Sequence, residues 1–175
     1  MEAERTFTFF WKTSSPFSQW YPCRFRIGPV TFNCAEQYMM YQKALLFGDR
    51  QTGRQILAAT SQKQQKALGR MVREFDPVRW EKHREGIVYD GNYAKFTQNR
   101  RLLGLLLDTG DTVLVEASPN DCVWGIGLLA DHPDARNPEN WRGLNLLGKI
   151  VTALRHDLRD DLRVRATPVE QGPRS

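Results

Sequence analysis

Cysteine and histidine are scarce in this chain, with three of each among 175 residues. Cys23, Cys34 and Cys122 are scattered and never form a CxxC pair, which argues against a disulfide framework and against a structural zinc site. His83, His132 and His156 are equally dispersed. No metal built on His and Cys is expected, and no other cofactor; a carboxylate-bound Mg²⁺ stays open. No apolar run approaches the ~20 residues that a membrane span needs. The opening MEAERTFTFFWK places acid early and offers no small-residue cleavage site, so no signal peptide is expected. Together with the cysteine usage, this suggests a cytoplasmic or nuclear protein rather than a secreted one.

What is present suits one domain with a real core: 41% hydrophobic and 26% charged residues, an ordinary globular balance. A formal charge of +5 permits an anionic partner such as a phosphate, nucleotide or nucleic acid. The basic residues are spread widely, however, and Arg155, Arg159, Arg163, Arg165 and Arg174 gather near the C-terminal end.

The pattern predicts an α+β fold, a single compact and mainly helical domain with a small sheet. Thr6 to Trp11 reads as a short strand, and CRFRIGPVTF as two strands turned at Gly28-Pro29. Residues 33–49 read as a helix begun by Asn33, with Glu36 at capping-box spacing. Shorter helices follow at 51–59 and after Ser61. Asp76-Pro77 opens a long helical stretch, with a break expected near Asp90-Gly91. DTVLVEASP is the best strand, with Val113 and Val115 on one face and Leu114 and Glu116 on the other. Residues 131–142, rich in Pro, Asn and Asp, read as a loop, ordered or mobile, that is long enough to close over a ligand. The last helix buries Leu147, Ile150, Val151, Leu154 and Leu158. The domain is expected to span 1–160, with a disordered tail at 161–175.

Chemistry enters through the helix at 33–49, which is apolar nearly all round yet carries Glu36 and Lys43. Seven residues make almost two turns, so both leave from one stripe, ~10.5 Å apart along the axis. An enclosed lysine tends to lose its proton unless an acid pairs with it, and a neutral amine is a nucleophile toward carbonyl-like carbon. The alternatives are a lysine that reaches solvent and a glutamate that only caps the helix. The segment VEASPNDCVWGIG leaves a strand end with Glu116, Ser118, Asp121 and Trp124. That set suits an acid/base pair with a stacking plate, or a polar turn beside a core Trp. GLNLLG opens the last helix, either as a phosphate-binding helix start or as a plain cap by Asn145. The aromatics of the first 21 residues, like Trp80 and Trp141, fit a core as well as a base-stacking platform.

Five segments together resemble the NADAR, or YbiA-like, family: FFWKTSSPFSQWYPCRF, FNCAEQYMMYQKALLFGD, GRMVREFDPVRWEKHREGIVYDGNYAKFTQN, LVEASPNDCVWGIG and WRGLNLLGKIVTALR. They occur in the family's order and cover about Thr6 to Arg155. Gln19 stands where family members often have Asn. The resemblance implies N-glycosidic hydrolysis, either removing ADP-ribose from ADP-ribosylated guanosine or guanine in nucleic acid, or cleaving ribosylaminopyrimidine phosphates of riboflavin synthesis. A non-catalytic module that binds ADP-ribose or nucleic acid is a third reading. The resemblance makes Lys43 the residue that forms an imine with the sugar, and Glu36 and Asp121 the acids nearest the reaction. Trp80, Glu116, Trp124 and Asn145 would line the substrate pocket. A direct oxocarbenium route, with Glu36 or Asp121 activating water, is the mechanistic alternative.

Overall fold

A computed structural model describes residues 6–166. The alternating start of the chain forms β1, Phe7–Phe10, which pairs in parallel with β4, Val113–Glu116, in the register Phe7 to Val113 through Phe10 to Glu116. A separate antiparallel hairpin joins β2, Phe25–Ile27, to β3, Val30–Phe32. Its turn is at Gly28, whose φ of 56° is easy only for glycine. Six helices stand among the described residues: α1 Ala35–Leu46, α2 Arg50–Ala58, α3 Gln62–Arg70, α4 Pro77–Thr97, α5 Arg100–Leu107 and α6 Leu146–Ala166. The mainly helical α+β reading holds. No helix of the described residues is long and apolar enough to cross a membrane.

Helix α1 packs against α2, α3 and α4, while α6 covers β4 and lies along α4. Leu147, Ile150, Val151, Leu154 and Leu158 of α6 are buried with Leu114 of β4, Met39 and Met40 of α1 and Phe96 of α4. The opposite face of β4 behaves as strand alternation requires: Val113 and Val115 join a second cluster with Phe7, Phe9, Ile126 and Ala135. Asp49, Ser61 and Asp76 cap α2, α3 and α4 through their side chains.

Three local expectations are corrected, and one left open is settled. Helix α1 is capped by Cys34, whose sulfur accepts from Gln37 N, not by Asn33. Gln37 Oε1 instead accepts from Asn33 N at 2.8 Å, so the reciprocal cap is shifted by one residue and Glu36 takes no part in it. Helix α4 runs unbroken through Asp90-Gly91. Gly91 is there because Tyr38 packs on it: a Cβ would lie 2.5 Å from Tyr38 Cδ1. Of the two alternatives for 131–142 the ordered one holds: the segment forms two 3₁₀ turns, Pro133–Arg136 and Pro138–Asn140, pinned by Trp141 Nε1 donating to Ala135 O. Finally, α6 continues to Ala166, past the expected boundary at 160. The rest of the expected tail, 167–175, lies outside the described residues.

Two buried cations hold loops in place. Lys95 is fully buried and its Nζ donates to Ser18 O at 2.8 Å. Arg155, equally buried, donates to Thr109 Oγ1 at 2.7 Å. Gln19 is fixed beside Ser18, accepting from Asn92 Nδ2 through its side chain and from Glu36 N through its carbonyl. The loop that presents Trp20 is therefore tied to both α1 and α4.

Candidate active site

The stripe on α1 forms one wall of a cavity of about 420 Å³. Glu36, Met39, Met40 and Lys43 all line it, as their 3.6-residue spacing requires. Lys66 and Arg70 enter from α3, one turn apart, and Trp80 and Arg84 from α4, also one turn apart. The far wall is Glu116 at the end of β4 and the following loop, with Asn120, Asp121 and Trp124.

Glu36 is 3% exposed. Burial pushes its carboxyl up to about 7, Asp121 adding to the rise. Lys66, a hydrogen bond from the Trp20 side chain and Lys43 oppose it. Lys43 is half-buried and does not extend away from the cavity. Its Nζ lies 4.3 Å from the centre of the Phe75 ring and 5.6 Å from that of Trp80. Burial lowers its pKa, with the nearby Arg70 adding to that and Glu36 working against it. An amine and an acid on one stripe thus both move toward neutrality.

Glu116 carries the largest upward carboxyl shift in the cavity, to about 8, caused first by burial and then by Asp121 and Glu36. Its Oε2 is buried without a hydrogen-bond partner. Asp121 is held by a tight turn in which Oδ1 accepts from Val123 N at 2.9 Å and Trp124 N at 2.8 Å. Gly125 lets this turn close on β4, since a Cβ there would lie 2.8 Å from Glu116 O. The Arg84 guanidinium stands 5.9 Å from the Trp124 ring, and its buried Nε has no partner. With Lys66 and Arg70, it lines the cavity with positive charge suited to phosphate.

Six of the seven sequence-predicted site residues therefore meet in one cavity: Lys43, Glu36, Asp121, Trp80, Glu116 and Trp124. Asn145 does not. It is fully buried, accepts from Glu116 N and donates to Leu114 O, both at 3.0 Å. It clamps the strand that carries Glu116 and does not line the pocket. The helix start at GLNLLG is no phosphate site either. The amides of Leu144, Asn145, Leu146 and Leu147 already donate to the carbonyls of Cys122, Gly125, Val123 and Trp124. The 131–142 loop does not line the cavity. Sequence reasoning missed Trp20, Lys66, Arg70 and Arg84 as site residues. The i, i+4 pairs Lys66/Arg70 and Trp80/Arg84 were the available signal, but nothing local shows which way those faces turn. Among the described residues no group of three His, Cys, Asp or Glu is placed to hold a metal ion.

The NADAR domain model matches residues 9–159. N-glycosidase R617 of Acanthamoeba polyphaga mimivirus is 47% identical over 147 residues, covering 81% of this chain and 86% of that protein. Riboflavin biosynthesis protein VVA0006 of Vibrio vulnificus is 29% identical over 143 residues, 82% of this chain and 35% of that longer protein. The NMR structure of the E. coli protein YbiA superposes with a TM-score of 0.76 at 26% identity, covering 97% of this chain and 94% of that one.

Proposed function

The chain belongs to the NADAR family, and from that premise we propose that it is an N-glycosidase, a hydrolase that cuts the bond between a ribose carbon and a base nitrogen. Its substrate in this reading is ADP-ribosylated guanosine, free or within nucleic acid, and its product ADP-ribose. One observation carries the proposal: the Lys43 amine and the carboxyl groups of Glu36, Glu116 and Asp121 line one cavity together with Lys66, Arg70 and Arg84. Such a cavity pairs a nucleophile of lowered basicity with two acids, Glu36 and Glu116, able to exchange protons near neutral pH, beside charge complementary to a diphosphate.

The glycosidic carbon C1 of a ribosylamine is at the aldehyde oxidation level. Once the furanose opens, the neutral Lys43 amine adds to C1. The C1–N bond to the base then breaks, its electron pair leaving with the protonated base nitrogen, and a Lys43–sugar iminium remains. Asp121, fixed by its turn, offers negative charge to that cation. Glu36, which titrates near 7, takes a proton from the water that attacks C1 and releases the sugar. Trp80 and Trp124 give the nucleotide flat apolar walls.

The test is chromatography after incubation with ADP-ribosylated guanosine, together with borohydride reduction during turnover. Release of ADP-ribose and a reduced sugar adduct, lost in Lys43→Ala, are expected. Unchanged substrate overturns the substrate assignment, and turnover with no adduct overturns the imine in favour of a direct oxocarbenium route. The name of the Vibrio relative favours a second substrate, a ribosylaminopyrimidine phosphate of riboflavin synthesis, assayed the same way. A binding module without catalysis has no use for an amine of lowered basicity facing raised carboxyls; tight binding of ADP-ribose with no turnover of either substrate would favour it.

A further inference from the structure

A second cavity, of about 440 Å³, adjoins the first. The two share Trp20, Lys66, Glu116, Asn120 and Asp121, so one set of side chains is the wall of both. On its far side the second cavity has a different character. Besides the shared residues, Trp11, Lys12, Thr13, Ser18 and Ser118 line it, giving an indole, three hydroxyls and one ammonium. Arg70 and Arg84 belong to the first cavity alone, as does Lys43. The first cavity thus holds Lys43, Arg70 and Arg84 beside the shared Lys66, the second only Lys12 beside it, and the anionic half of a bipartite substrate fits the first. A flat heteroaromatic with hydrogen-bonding edges fits the second.

The shared wall is held rigidly. Asn145 fixes the Glu116 backbone, Lys95 fixes Ser18, and Ser18 Oγ accepts from Trp20 N at 3.1 Å. Lys12 is held at φ 67°, a left-handed conformation rarely taken by lysine, with its Nζ 4.9 Å from the centre of the Trp11 ring, so its charge is engaged by that indole. Within the wall, the Glu116 Oε2 atom is buried and has no partner. An unpaired acid oxygen between two cavities is placed to serve a group that crosses from one to the other.

Resting on the N-glycosidase reading above, we propose that the second cavity receives the nucleobase half of the substrate and that Glu116 gives the departing base nitrogen its proton. Lys43 addition places C1 between two nitrogens. The C1–N bond to the base breaks, its electron pair stays on the base nitrogen, and the Glu116 proton completes the base amine. C1 and Lys43 are left as the iminium, and Glu116 as a carboxylate. Water then adds to C1, its proton returns to the carboxylates, and the lysine leaves. The high proton affinity of Glu116 supports the role, because the group is still an acid at neutral pH.

Two experiments test this. In Glu116→Gln, ADP-ribose added directly with borohydride should still label Lys43 at the wild-type level, because the free aldehyde needs no departing base. ADP-ribosylated guanosine should no longer label it, and kcat should fall at least 100-fold. Equal loss of both labels, or loss of neither, overturns the acid role. Wild-type protein that turns over neither this substrate nor the pyrimidine phosphate refutes the N-glycosidase reading itself, which is a separate result. In the second experiment, guanosine binding is titrated calorimetrically with the protein saturated in ADP-ribose. Guanosine should bind alongside ADP-ribose. Thr13→Trp, an exposed position that would fill the second cavity, should weaken guanosine at least tenfold and leave ADP-ribose within threefold. Competition between the two ligands, or no effect of Thr13→Trp on guanosine, overturns the subsite.

Discussion

Replacing Glu36 by Gln should stabilise the protein, and by an amount that depends on pH. The folded carboxyl titrates near 7, raised from 4.5 chiefly by burial. Between those values the folded chain holds a proton that the unfolded chain has released. Stability therefore falls as pH rises from 4.5 through 7, and the full penalty is present above 7. At ~1.4 kcal/mol per pH unit the penalty is about 3 kcal/mol, and relaxation around the buried charge lowers the figure to expect to roughly 2–3 kcal/mol. Gln has nearly the same shape, and its amide oxygen accepts from the Trp20 side chain as the carboxyl does. It has no proton to lose.

The assay is urea or thermal unfolding of wild type and Glu36→Gln at matched pH values from 4.5 to 8.5. The two should differ least at the acid end. Above pH 7 the variant should lead by roughly 2–3 kcal/mol, about 5–10 °C in Tm for a chain this long. Part of the gain comes through Glu116, since the Glu36 charge helps raise that group as well. Activity should collapse in the same variant, because a group that weakens the fold is retained where its chemistry is used. A stability difference that stays constant from pH 4.5 to 8.5 would refute the reasoning, for it would mean that Glu36 titrates alike in the folded and unfolded chain.

Three further outcomes are expected. The pH dependence of kcat/KM should be a narrow bell, with a rise governed near 7 by Glu36 as base and a fall near 8 by Glu116 as acid, the two limbs belonging to the coupled set; a profile flat from pH 6 to 9 would contradict it. Gly91→Ala should destabilise by ~1–3 kcal/mol in urea unfolding despite alanine's better helix propensity, because the new methyl meets the Tyr38 ring on α1. Asn145→Ala should lower stability by ~2–4 kcal/mol, since it strands a buried amide and a buried carbonyl of β4. It should reduce kcat more than it weakens ADP-ribose binding, as expected of a residue that positions Glu116 without touching ligand.

How much was legible follows from how far each signal reaches along the chain. The α1 stripe needs only the helical period, so Glu36 and Lys43 were placed correctly on one face. The caps at Ser61 and Asp76 are equally local, and the alternation of Val113, Leu114, Val115 and Glu116 sorts β4 into its two faces. The α1 cap was misread because Asn33 is the better N-cap type, yet tertiary contacts chose Cys34: its sulfur donates to Gln65, and Asn33 is bound by the same glutamine. The Gly91 break was misread for a related reason. Glycine signals a break by its own flexibility, but here it is required by a ring from another helix. The parallel pairing of β1 with β4 joins residues more than a hundred positions apart, and no local pattern announces it.

Asn145 shows where motif and geometry part company. It lies in a segment that the family resemblance marks, yet its amide is spent on the backbone of β4. That assignment changes how the acids are read. Glu116 is rigid because Asn145 holds its amide, and Asp121 because its own turn closes through Gly125 onto the Glu116 carbonyl. Glu36 is freed because Cys34 and Gln37 do the capping that its position suggested for it. Each carboxyl thus stands in the cavity with its backbone demands already met by a neighbour. For Glu36 and Glu116 the proton is then governed by burial and by the neighbouring acids, the condition under which carboxyl groups can act at neutral pH. A substitution that disturbs Asn145, Gln37 or Gly125 should therefore alter the pH profile of the enzyme before it abolishes folding.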